Sequence, residues 1–127
     1  MRFNWHLIKR SIRFWWQRRT RGWDDSETWS LEHSLAKLIA PRLKRFKELN
    51  NGVPGYLCPG GGSTTNYGNK IDKAAAKWDA MLDDMIFAFE FVADEDKYFT
   101  AKPDSPEWKR VEKGLTLFRK NFHSLWW

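Results

Sequence analysis

Between residues 70 and 93, Ile71, Ala75, Trp78, Leu82, Met85, Phe89 and Val92 recur at alternating intervals of four and three. An α-helix places such positions on one face, because its turn brings residues three and four apart together. Phe87 and Phe91 fall off that stripe, so the helix is expected to be covered on more than one side. Asp72, Asp79, Asp83 and Asp84 mark its polar side. Strand signals are nearly absent elsewhere, so its cover has to come from other helices. The expected fold is all-α, a compact bundle of about four helices forming a single domain over residues 1–127.

Residues 2–20 show the same periodicity, with Trp5, Ile8, Ile12, Trp15 and Trp16 on one face. Arg2, Lys9, Arg10 and Arg13 lie beside it, and Phe3, Leu7 and Phe14 form a second apolar strip beyond the cations. Trp15 and Trp16 are expected to close a packed face. Arg21-Gly22 breaks the helix. Asp24 with Glu27 three residues on predicts a capping box that opens a second helix, from about Asp25 to Leu49. Leu31, Leu35, Leu38, Ile39, Phe46 and Leu49 are its expected buried side, and Pro41 predicts a kink or restart. Ser105-Pro106-Glu107 starts the last helix, with Trp108, Val111, Leu115, Phe118, Phe122 and Leu125 inward.

Residues 50–69 read as a long Gly-rich loop, in which Gly60 to Gly62 argue for mobility. Cys58 is the one cysteine, which fits a reducing, cytoplasmic location and leaves no partner for an intrachain disulfide. No apolar run is long enough for a transmembrane helix. Lys9, Arg10 and Arg13 interrupt any secretory signal.

The formal net charge is +6, which favours anionic partners. It is unevenly spread. Residues 1–50 hold twelve Lys/Arg against five Asp/Glu, and residues 51–100 hold four against eight. Nine tryptophans add large apolar surfaces, each with an N–H to satisfy.

Catalytic patterns are missing. No Lys-Ser/Thr follows Gly60 to Gly62, so the loop is not a phosphate-binding P-loop. His6, His33 and His123 are scattered, so neither a zinc site nor any other metal site or cofactor is expected. Asp79, Asp83 and Glu90 could hold magnesium in a helical nucleotide hydrolase, although their spacing departs from the paired motifs such enzymes use. A solvated acidic face accounts for them more simply, and the chain reads as a non-enzyme.

The remaining signal is arginine interleaved with tryptophan around one helix break. Arginine pairs with phosphates and indoles stack on bases. The expected ligand-binding residues are Arg10, Arg13, Arg18, Arg19 and Arg21 with Trp15, Trp16 and Trp23, and Arg42 and Arg45 as second choices. The narrowest target is Arg18 to Trp23. Against this stands the plain alternative of core tryptophans and solvated arginines. The first helix, basic and amphipathic, also has the make-up of a membrane-surface element.

Residues 22–48, GWDDSETWSLEHSLAKLIAPRLKRFKE, resemble a recurring segment of small tailed-phage proteins. Its pattern is W-D-D-S-E-x-W-S-L-[DE], then A-K and P-R-L-K-x-F-K. The ending FRKNFHSLWW, residues 118–127, is similar to their C-terminal pattern. The resemblance covers about a third of the chain, implies no catalytic residues, and has no counterpart for the Gly-rich loop. It implies a phage accessory protein acting in an infected bacterial host. One expectation is a homo-oligomeric sponge that sequesters an anionic small molecule, such as a cyclic nucleotide immune signal. The alternative is a protein–protein module, either a host-enzyme inhibitor or a virion subunit.

Overall fold

The computed structural model describes residues 4–58 and 67–126, and Gly60 to Gly62 lie outside them. The fold is all-α, with no strand among the described residues. Helices run over Trp5–Arg21 (α1), Leu31–Leu49 (α2), Tyr67–Ala93 (α3), Glu95–Thr100 (α4) and Pro106–Asn121 (α5), with short 3-10 turns at Asp25–Thr28, Gly55–Leu57 and Phe122–Ser124. The loop expected over residues 50–69 begins after Leu49 as read, holds a short turn, and ends earlier. Gly55–Leu57 folds into a turn, and α3 begins at Tyr67.

The central element is α3, as its periodicity requires. Trp78, Leu82, Met85, Ile86, Ala88, Phe89, Phe91 and Val92 are all buried, which covers the helix on several sides. The chief packing contacts of α2, α4 and α5 are with it.

α2 meets α3 through His33, Ala36, Ala40 and Leu43, rather than through the expected leucines. Leu31, Leu35 and Leu38 stay about half exposed on the opposite side, while Ile39 and Phe46 lie half-buried between the two. Two alanines one turn apart let the helix backbones come close, and that contact sets the rotation of α2. Pro41 is exposed and the helix continues through it without a restart. The Lys37 carbonyl that loses its partner can be hydrated there. The capping box at Asp24 and Glu27 forms, but it caps the 3-10 turn. α2 starts only at Leu31.

α5 uses a similar close approach. Val111, Gly114 and Asn121 are buried, and a Cβ at Gly114 would lie 2.2 Å from the Asp84 carbonyl oxygen. Phe118 packs edge-on against Phe89 at 4.7 Å, whereas Phe122 is largely exposed instead of inward. Asp84 of α3 accepts from Arg110 at 2.9 Å and pairs with Lys113 at 2.7 Å. Burial raises the pKa of its carboxyl, but the hydrogen bonds from Lys113 and Arg110 outweigh that and hold it below the ordinary value.

Between α3 and α5 the chain forms the short helix α4, which the periodicity did not single out. Asp94 caps it by accepting from the Lys97 N–H, and Tyr98 packs its ring on His33 at 4.9 Å and on Trp108 at 5.6 Å. His33 in turn donates its Nδ1–H to the Val92 carbonyl.

Candidate functional site: the basic helix α1

α1 has no buried residue. Trp15 and Trp16, expected to close a packed face, are 65% and 63% exposed. The reason lies in how the helix is attached. Its polar side is held to the 3-10 turn at Asp25–Thr28, and the apolar side is left outward.

Asp25 is the centre of that attachment. Its carboxylate accepts from Arg13 at 2.6 Å and from Gln17 Nε2 at 2.8 Å, and it pairs with Arg21. The Asp25 N–H donates back to Gln17 Oε1 at 3.0 Å. Residues 13, 17 and 21 are spaced by one helical turn, so a single carboxylate can collect all three. Asp24, fully buried, takes Arg18 while capping the turn through the Ser26 N–H at 2.8 Å. Gly22 makes the bend between helix and turn at φ +82°, a left-handed conformation that suits glycine.

Hydrogen bonds from Ser26, aided by Arg18, hold the Asp24 carboxyl below its ordinary pKa of 3.8. Hydrogen bonds from Gln17 and then Arg21 do the same for Asp25. A carboxylate with a depressed folded pKa contributes stability above the unfolded value and loses it as pH falls through the folded one. The attachment is therefore complete at neutral pH and weakens only below about pH 4. Asp25→Ala should release α1 already at neutral pH. Hydrogen exchange would show faster exchange over residues 13–21 with α3 protection unchanged. Equal slowing and speeding across both helices would show that α1 is not separately latched.

The expected site residues divide into groups. Arg13, Arg18 and Arg21 carry the ion pairs just described. Arg21 also lies over the Trp23 ring at 3.8 Å and donates to its carbonyl. Arg10 lies over Phe14 at 5.2 Å. Arg19, Trp15 and Trp16 are exposed. Arg42 and Arg45 sit apart, on α2. Arg42 donates to the Leu38 carbonyl at 2.7 Å and Arg45 to Glu48 at 2.7 Å. Both rim a separate hollow of about 400 Å³, floored by Phe46, Leu49, Phe118 and Leu125.

An open groove of about 630 Å³ runs along one flank of α1, lined by Lys9, Ile12, Arg13, Trp16, Gln17 and Arg21 among others. Three expected residues, Arg13, Trp16 and Arg21, meet there. Lys9 and Gln17 were not anticipated as site residues, although their spacing at four from Arg13 was there to be read. Trp15, Arg18, Arg19 and Trp23 do not line the groove.

The acidic alternative looks different in three dimensions. Asp83 accepts from Lys47 at 2.6 Å and Glu90 pairs with Lys44, so two of its three carboxylates face lysines of α2. Among the described residues no group of three or more His, Cys, Asp or Glu is arranged to hold a metal ion. None of the described helices is long and apolar enough to cross a membrane.

Comparison with protein-family models, curated proteins and solved structures finds no match to this chain.

Proposed function

We propose that the protein is a non-enzymatic binding protein, and that α1 takes an anionic ligand bearing flat rings, a cyclic nucleotide signal being the best match. One observation carries this reading: the α1 groove places the Trp16 indole among Lys9, Arg13 and Arg21. The ring offers a stacking surface and the cations offer charge-assisted hydrogen bonds to phosphate. Arg13 and Arg21 already share Asp25, so a phosphate would join or displace an existing carboxylate pair. The guanidinium groups are thus oriented before the ligand arrives, which lowers the ordering cost of binding.

Calorimetry against a panel of cyclic di- and trinucleotides tests the proposal. Binding of at least one is expected, with Trp16→Ala and Lys9→Ala each weakening it by roughly tenfold or more, in line with about 1–3 kcal/mol per stacked base. No heat with any member of the panel refutes it.

The alternative of a protein partner or a homo-oligomer has its own support. Leu31, Leu35 and Leu38 form an exposed apolar stripe on α2, the kind of patch that marks an interaction site.

A further inference from the structure

We infer that the outer face of α1 rests on an anionic membrane surface. This goes beyond nucleotide binding, and of its apolar contacts Trp5, Ile8 and Trp15 lie outside the nucleotide groove while Ile12 borders it. Trp5, Ile8, Ile12 and Trp15 lie on the side of α1 turned away from Asp25 and its arginines. Trp5 is 66% exposed, and Ile12 and Trp15 are nearly as open. No described element covers them. The helix itself contains no acid; Arg13, Arg18 and Arg21 pair with Asp24 and Asp25 beyond its end, which leaves Lys9, Arg10 and Arg19 with no ion pair among the described residues. Seventeen residues give a rod about 25 Å long, and its sequence is far too polar to cross a bilayer. A helix of this kind lies in the interface plane, with indoles at the headgroup boundary and long cationic side chains reaching lipid phosphates.

Charge decides among the covers this face could have. Two α1 helices packed face to face would bring Lys9 and Arg19 of each copy together, while Asp24 and Asp25 stay on the far side with the arginines they pair. A second copy offering Leu31, Leu35 and Leu38 would bring Arg42 and Arg45 toward the same cations, because these arginines continue that stripe of α2. A nucleic-acid backbone would match the charge and leave the isoleucines in water. An anionic bilayer satisfies both the charge and the apolar strip. The attachment geometry agrees, since the 3-10 turn grips the polar side and leaves the apolar side outward.

Flotation of the full chain with vesicles tests this. With equimolar phosphatidylglycerol and phosphatidylcholine the protein should float, and its tryptophan emission should move to shorter wavelength. With phosphatidylcholine alone it should stay below, and added salt should weaken the association. The Trp5→Ser/Trp15→Ser double variant should lose binding by on the order of tenfold or more while keeping its melting curve, because neither indole is buried. Neither indole lines the nucleotide groove, so nucleotide calorimetry on the same variant should be unchanged. Absence of flotation with the anionic vesicles overturns the inference. So does undiminished flotation of the double variant. A wild-type dimer that fails to float, and that the double substitution converts to monomer, would overturn it in favour of a second copy.

Discussion

Trp78→Ala is expected to lower folding stability by about 3–5 kcal/mol, enough to unfold a large share of a chain of ordinary stability. Trp78 is only 1% exposed and sits on the face of α3 that the rest of the bundle surrounds. Truncation leaves a void that the neighbouring helices cannot fill without giving up their own contacts. Trp78→Phe should cost less than the lost volume suggests. Its indole Nε1 has no hydrogen-bond partner among the described residues, so phenylalanine removes an unsatisfied donor along with the second ring. Urea melts of the three proteins give the order wild type, Phe, Ala. An alanine variant within about 1 kcal/mol of wild type would mean that Trp78 does not organise the core.

Gly114→Ala tests the opposite kind of packing, and its sign distinguishes two principles. By helix propensity alone, alanine in α5 would stabilise by about 1 kcal/mol. In the fold, the new methyl would sit 2.2 Å from the Asp84 carbonyl oxygen and 2.6 Å from the Ala88 side chain. The first of these is backbone and cannot swing aside, so α5 has to move off α3. Overpacking should outweigh propensity and leave a net loss of about 2 kcal/mol, a fall in Tm of roughly 8 °C. Gly55→Ala is the control, because a Cβ there meets nothing within 4 Å. Calorimetric melts that rank Gly114→Ala above wild type would show that the two helices are not in close contact.

These positions also show what was legible in the sequence. The α3 stripe gave its burial directly, because its four-three spacing from Trp78 to Val92 holds only apolar residues while Asp79, Asp83 and Glu90 fall off it. The rotation of α2 was hidden. Leu31, Leu35 and Leu38 are the more apolar set, yet Ala36 and Ala40 face α3 because small side chains permit the closer approach. Hydrophobic periodicity ranks residues by apolarity and is blind to that preference.

Around α1 the helix, the break at Gly22 and the capping box could all be read. The outward direction of Trp15 and Trp16 could not, because it follows from Asp25 collecting Arg13, Gln17 and Arg21 across the break. The same attachment explains why the arginines expected to grip a ligand did not gather at Arg18 to Trp23. Arg18 turns to Asp24 and Arg21 to Asp25, and the groove runs along the helix from Lys9 to Arg21.

The central position of α3 has a kinetic consequence. Its main partners, α2, α4 and α5, are its nearest helical neighbours along the chain. Most native contacts can therefore close over short stretches of sequence, where chain entropy resists least, and this favours rapid folding. Among the described residues α1 joins chiefly through the turn beside it, so the core can assemble before the N-terminal helix has found its place.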